Sequence, residues 1–199
     1  MSTPDWFSEL LPRGLSQQQI DRLFQHYEVL IRWNQRMNLT TVKPGPETVV
    51  RHYCESLFFA AHLPAEEDGI SVIDAGSGAG FPGIPIAILK PGWHVLLVES
   101  NQRKAVFLRE SSRGLQNVSV FVGRIETVTL SADWIVARAV DPREVIANVP
   151  QLAPNVGLLI GEEDFSAIRS DSRIAWAEPV RLPWGDRRLC VYGNVPRGT

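Results

Sequence analysis

The chain has 199 residues and carries 20 Lys plus Arg against 22 Asp plus Glu, a formal charge of −2. That balance excludes a globally basic nucleic-acid coat, and 44% apolar residues exclude a disordered chain. At about 150 residues per domain the length fits one domain with an appended segment.

Apolar runs such as Leu57 to Ala61 and Val95 to Val98 fall far short of the roughly 18 residues that a membrane span needs. The N-terminus lacks the basic and apolar regions of a secretory signal, so a cytoplasmic location is expected. In residues 16 to 40, Ile20, Leu23, Phe24, Tyr27, Leu30 and Ile31, then Trp33 and Met37, recur at spacings of three and four. This is one apolar helical face, with Ser16 placed as N-cap. Lys43-Pro44-Gly45-Pro46 interrupts it, because proline cannot continue a helix. A second helix is predicted from about Glu47 to Leu63. Together the two form an N-terminal cap over residues 1–65, and Glu66-Glu67-Asp68-Gly69 is a polar link into residues 66–199.

Beyond Ile70 the periodicity changes. Ile70 to Ile73, Val95 to Val98, Val118 to Phe121, Trp134 to Val136 and Val156 to Ile160 are short apolar runs separated by helical segments, among them Arg103 to Leu115 and Arg143 to Leu152. Buried parallel strands joined by right-handed crossovers read this way, so the fold class is α/β, doubly wound. Ile174 to Leu182 and Arg188 to Val195, joined by Pro183-Trp184-Gly185-Asp186, predict an antiparallel hairpin that closes the sheet. Cys54 and Cys190 are too far apart for a zinc-type pair and are expected to be buried apolar residues. His26, His52, His62 and His94 show no ligand spacing, so no metal is expected. His52 suits an RNA contact and suits equally a packed, hydrogen-bonded ring. Trp33 sits on the apolar face and is expected in the core.

The strongest local signal is Asp74-Ala75-Gly76-Ser77-Gly78-Ala79-Gly80-Phe81-Pro82-Gly83, where a buried strand meets a helix. Glycines at 76, 78 and 80 permit a sharp turn and close approach of a ligand, and the following helix is expected to present free N–H groups. Phosphate, a carboxylate or an adenosine would all suit such a loop. A dinucleotide G-x-G-x-x-G pattern counted from Gly76 fails at Phe81. Counted from Gly78 it fits through Gly80 and Gly83, but then starts several residues past the strand, with Pro82 inside the loop. The register from Asp74 through Gly76, Gly78 and Gly80 instead resembles the loop of S-adenosylmethionine-dependent methyltransferases. Glu99, at the end of the next strand, is placed to accept hydrogen bonds from ribose hydroxyls of either cofactor.

Further motifs carry a wider resemblance: Trp33-Asn34-Gln35-Arg36-Met37-Asn38-Leu39-Thr40, Arg51-His52 with Glu55-Ser56-Leu57, and the run from Gly80 to Pro85. The series continues with Glu99-Ser100, Arg103-Lys104, Phe107-Leu108-Arg109, Gly123-Arg124-Ile125-Glu126 and Ala137-Arg138-Ala139-Val140. In these the chain resembles the bacterial 16S ribosomal RNA guanine-N7 methyltransferases, the glucose-inhibited division protein B family. The resemblance implies a Rossmann-like class I methyltransferase fold with a mostly parallel seven-stranded sheet and S-adenosyl-L-methionine as cofactor. It implies that Gly76 and Phe81 contact the cofactor around the loop, that Ile125 and Glu126 sit at the adenine, and that Arg138 lies near the methionine end and the reacting base. Arg138 is the catalytic candidate; Gly78, Gly80 and Glu99 complete the cofactor set. The chain departs from the family pattern at Glu55, where aspartate is usual, at Ile160, and at Gly193-Asn194-Val195, which stand in place of lysines.

The expected partner is 16S ribosomal RNA or the small subunit, met by a monomer. Residues 22 to 51 hold five cations against two carboxylates and residues 103 to 124 hold five against one. Such stretches can bind phosphates or form solvated helix faces. No Asn/Asp-Pro-Pro-aromatic run and no cysteine after proline is present. Amino-group and covalent cytosine chemistry therefore lack their residues. A dinucleotide-dependent oxidoreductase and a small-molecule methyltransferase on the same fold are the alternatives.

Overall fold

The computed structural model describes residues 3–37, 39–41, 43–65, 67–184 and 187–196. Asn38 of the cap motif, Glu66 of the acidic link, and Gly185 and Asp186 of the terminal turn lie outside the described residues. A short helix, α1 (Asp5–Leu10), precedes those expected; six residues are too few to display a helical period. Helix α2 (Gln17–Met37) begins at Ser16 as anticipated. The Gln19 N–H donates to Ser16 Oγ at 3.3 Å and the Ser16 N–H donates to Gln19 Oε1 at 2.8 Å, a reciprocal capping box. The second predicted helix is a continuous run of α3 (Pro46–Thr48), a π-helical stretch (Val49–Cys54) and α4 (Glu55–Ala61). Pro46 heads it, where the missing N–H costs nothing.

Strands β1 (Ser71–Ala75), β2 (His94–Glu99), β3 (Val118–Val122), β4 (Trp134–Arg138) and β5 (Asn155–Gly161) match the five apolar runs. They pair in parallel in the order β3-β2-β1-β4-β5. Helix α5 (Gly83–Leu89) joins β1 to β2, α6 (Gln102–Ser111) joins β2 to β3, and α7 (Pro142–Leu152) joins β4 to β5. Between β3 and β4 the described ordered element is a 3-10 turn, Ile125–Thr127. After β5 comes an unanticipated helix, α8 (Glu162–Ile168). Its first turn carries Glu162, Glu163 and Asp164, which complement the positive end of the helix dipole.

The C-terminal part corrects the expected strand number. Ile174 to Leu182 forms not one strand but two, β6 (Ala175–Trp176) and β7 (Val180–Arg181), and both pair antiparallel with β8 (Arg188–Asn194). Among the described residues the sheet thus has eight strands, where seven were expected. Trp176 pairs with Gly193 and Val180 with Cys190, so Ala177, Glu178 and Pro179 face only Val191 and Tyr192. This is a bulge, at a proline with no N–H for the ladder. Strand β8 pairs with β5 along its whole length and lies between β5 and β6.

Alternation along the strands gives each face its own core. Val72, Leu97, Trp134, Val136 and Tyr192 pack with the N-terminal helices. Ile73, Val98, Ile135, Ala137 and Val191 pack on the opposite side with residues of α7 and α8. Trp33 packs against the first of these cores, with its ring 5.9 Å from Phe107. Both cysteines are buried and unbridged, as expected. By the same parity Asp74 and Arg138 point toward the cap, and Ala75 points away from it.

Candidate active site

Past β1 the chain turns through Gly76, Gly78 and Gly80, with φ of +69°, +55° and +86°. Two carboxylates hold the turn. Glu99 Oε2 accepts from the Gly78 N–H at 3.0 Å and Oε1 accepts from the Asn101 N–H at 2.8 Å. Asp74 Oδ2 accepts from the Gly83 N–H at 3.0 Å. The N–H groups of Gly80 and Phe81 both donate to the Ser77 carbonyl, and that of Ile84 to the Gly80 carbonyl. The helix start was expected to offer free N–H groups; at Gly78, Gly80, Phe81, Gly83 and Ile84 they are already engaged. A pyrophosphate needs those donors, so the dinucleotide reading loses its physical basis.

A cleft of about 170 Å³ opens beside the loop on the α7 side of the sheet. Gly76, Ser100, Ile125, Glu126, Val140 and Glu144 line it. A Cβ on Gly76 would lie 2.7 Å from Val140 Cγ2, so the narrow slot depends on glycine there. Its ionisable lining is Glu126 and Glu144 against Arg124. This arrangement suits a ligand bearing hydroxyl and amino donors and a positive centre, and opposes a polyanion.

Across the sheet edge, on the cap side, Arg138 is 9% exposed. Its Nη2 donates to the Arg51 carbonyl at 2.5 Å and pairs with Glu55 Oε2 at 2.8 Å. Arg188 Nε lies 3.6 Å from the same oxygen. Burial lowers the Arg138 pKa to about 10; Glu55 pulls it back up, while Arg188 and Arg51 add to the lowering. The side chain stays a cation at neutral pH. Phe81 is buried under the loop, stacked on the His52 ring at 4.9 Å and edge-on to His26 and Tyr53 at 5.3 and 5.0 Å. His26 Nδ1 shares a hydrogen bond with the Tyr53 hydroxyl at 2.6 Å, and His52 Nε2 shares one with Thr40 Oγ1 at 2.7 Å. Burial lowers both histidines to about 3, and for His52 Arg138 and Arg51 add to the effect. Both rings are neutral. His52 is packed and hydrogen-bonded, the plainer of its two sequence readings. Among the described residues no His, Cys, Asp and Glu cluster could hold a metal.

Comparison with known proteins places this geometry. Residues 19–163 match the family described as rRNA small subunit methyltransferase G. A protein of that name from Xanthomonas campestris pv. campestris is 35% identical over 206 residues, covering 94% of this chain and 95% of its own length. The chain belongs to the rRNA small subunit methyltransferase G family. The relative of the same name from Nitrosomonas europaea is 43% identical over 122 residues, 59% of this chain. The chain spans 55% of that relative's length. Among solved structures, a SAM-dependent methyltransferase from Aquifex aeolicus superposes with a TM-score of 0.61 at 16% identity, covering 75% of this chain and 93% of its own. That likeness concerns the fold.

In this member of the methyltransferase G family, Gly76, Ile125 and Glu126 meet in the cleft. Gly78 and Gly80 shape the loop, and Glu99 braces it. Phe81 and Arg138 do not line the cleft; they lie on the cap side, where Arg138 meets Glu55 and, through it, Arg188, a grouping that no spacing in the sequence indicated. Ser100 and Val140 stood in the family motifs without a role assigned, and Glu144 went unnoticed. Position is the further signal they share, each lying just past a strand or early in the helix that follows β4.

Asp74 gives a pH test of the loop. Burial raises its pKa to about 7, with hydrogen bonds from Ser77 and Gly83 opposing and the Glu99 charge adding to the rise. A carboxyl raised in the folded state contributes stability that is full below its unfolded value near 4 and is lost as pH rises through 7. From pH 5 to pH 8 the wild type should lose about 2 kcal/mol relative to Asp74→Asn. Urea melts of both proteins at the two pH values measure this; an unchanged difference rejects it.

Proposed function

We propose that this chain transfers the methyl group of S-adenosylmethionine to N7 of a guanine in 16S ribosomal RNA. The observation that carries the reading is the loop beside the cleft. The N–H groups of Gly78, Gly80, Phe81, Gly83 and Ile84 are occupied by Asp74, Glu99 and backbone carbonyls, and the cleft lining sets Glu126 and Glu144 against Arg124. Such a slot fits an adenosine carrying a cationic sulfonium, and family membership supplies the RNA. Gly76, Ile125 and Glu126 would hold the adenosine, with Gly78, Gly80 and Phe81 supporting the loop around it. Glu99 keeps lone pairs for ribose hydroxyls, and Arg138 would reach the methionine end. When bound, the cofactor supplies a methyl group on an electrophilic sulfonium.

Guanine N7 already has a lone pair, so no general base is needed. The ionisable side chains agree with this. His26 and His52 are neutral and enclosed, and burial pushes Cys54 and Cys190 up to about 12, so neither thiol is a ready nucleophile. What remains for the protein is alignment of nucleophile, carbon and sulfur. Methylation leaves a positive charge on the base, which a nearby guanidinium cannot favour. We therefore assign Arg138 to orientation, through hydrogen bonds to a guanine oxygen, a phosphate or the cofactor carboxylate.

We read residues 1–65 as a cap and 66–199 as the methyltransferase domain, a division of labour across one shared core. For the RNA surface we favour the face where α2 and α6 run side by side. Arg22 donates to the Gly114 carbonyl at 2.8 Å and Arg32 pairs with Glu110 at 2.9 Å, which brings the two basic stretches together. No described helix is long and apolar enough to cross a membrane. A cytoplasmic monomer without metal is the state we assign.

Purified protein, labelled methyl donor, and either small subunits or naked 16S RNA test the reading, followed by mapping of the modified base. One guanine labelled at N7 is expected, with calorimetric binding of S-adenosylmethionine but not of NAD(H). Unlabelled RNA, or binding of NAD(H) alone, rejects it; label confined to a small molecule supports the alternative methyltransferase.

A further inference from the structure

Strand β4 delivers Arg138 to the cap, and one turn of helix closes around its guanidinium. Nη2 donates to the Arg51 carbonyl at 2.5 Å and forms an ion pair with Glu55 Oε2 at 2.8 Å. Arg51 belongs to the π-helical stretch and Glu55 is the first residue of α4. π-Helical turns are rare and recur at functional sites. Glu55 is 2% exposed, and a second guanidinium, Arg188 on β8, stands 3.6 Å from the same Oε2. One buried carboxylate therefore lies between two cations brought in by separate strands. With Nη2 committed, Nη1 of Arg138 is left buried without a hydrogen-bond partner among the described residues.

We propose that Glu55 is a positioning residue for methyl transfer: its bridge between Arg138 and Arg188 sets the guanidinium plane so that Nη1 is turned toward the reacting molecules. The inference rests on the assignment of Arg138 to orientation. Stability alone is a poor reason for this cluster. Desolvating charged groups is costly, and apolar residues of similar volume often serve the core as well. A planar guanidinium held at Nη2 by a carbonyl and a carboxylate, however, turns its remaining donors away from both. Without the carboxylate, two like charges face each other across the gap, and Arg138 keeps the Arg51 carbonyl as its hydrogen-bond acceptor among the described residues.

Single-turnover and steady-state methyl transfer to small subunits, with the full chain and labelled S-adenosylmethionine, tests this. Glu55→Gln is expected to lower kcat about tenfold to a hundredfold, with KM for S-adenosylmethionine moving less than about threefold. Glu55→Asp keeps the charge and is expected to recover most of that loss. Should Glu55→Gln not fold, Glu55→Gln combined with Arg188→Met removes one anion with one cation and preserves the net buried charge. That pair is expected to fold and to be as slow. A normal kcat in the folded double variant, equal slowness of the Asp and Gln variants, or a normal kcat per cofactor-binding site after titration each overturns the proposal. Arg138→Met separates the two readings. Slow turnover there beside normal Glu55 variants overturns this inference alone, whereas normal turnover overturns the assignment of Arg138 and this inference with it.

Discussion

Arg138→Ala is expected to lower methyl transfer about a hundredfold or more, because alignment is the work this reaction asks of the protein and a misplacement of about 1 Å costs about that much. The geometry adds a stability cost. Removing the guanidinium takes away the 2.8 Å ion pair that Glu55 makes with Arg138, and breaking a buried pair costs about 3 kcal/mol. Single-turnover rates, taken well below a melting temperature measured for the same variant, keep the two effects apart. Wild-type turnover of the folded variant would remove Arg138 from the reaction. The effect should be flat across pH 6 to 8, since its pKa of about 10 keeps the arginine charged throughout.

Gly83→Ala is expected to destabilise the protein by about 3 kcal/mol, lowering the melting temperature by roughly 6–12 °C for a chain of this size. A Cβ there would collide with Leu97 Cδ2 and lie 2.5 Å from Asp74 Oδ2. Leu97 is fully buried, so neither neighbour can retreat, and the hydrogen bond from Gly83 to Asp74 would be lost with the clash. Gly78→Ala is the control. Its Cβ would lie 3.7 Å from the Gly76 carbonyl oxygen at φ +55°, an ordinary contact in a left-handed conformation, costing about 1 kcal/mol. Thermal melts of the two variants decide the matter. Equal losses would mean that the loop responds to backbone conformation alone.

The contrast between those glycines shows where sequence reading stops. Gly76, Gly78 and Gly80 announce a turn because positive φ is a property of single residues. Gly83 entered the sequence argument as the third glycine of a shifted dinucleotide pattern, whereas its physical role is to leave room for Asp74 and Leu97. Likewise the helix start was read as a set of open donors, but Glu99, 21 residues beyond Gly78, had already claimed one. Helix α1 was too short for periodicity, and Pro179 divided a strand that had an unbroken extended look. The buried pair of Glu55 with Arg138 joins elements more than 80 residues apart, a distance over which spacing carries no information.

What the chain determined by itself is everything set by neighbours within a turn or a strand. That includes the capping box at Ser16 and Gln19, the five parallel strands, the glycine turn after β1, and the motifs that mark the family. Hydrogen bonding and side-chain direction repeat with periods of 3.6 and 2, so these features are written locally. Tertiary structure alone decided which loop donors remain available, which face of the sheet carries the cleft, and which carboxylate holds Arg138. Each of these depends on burial and on charges brought together across the sheet, and such terms exist only once distant segments have packed.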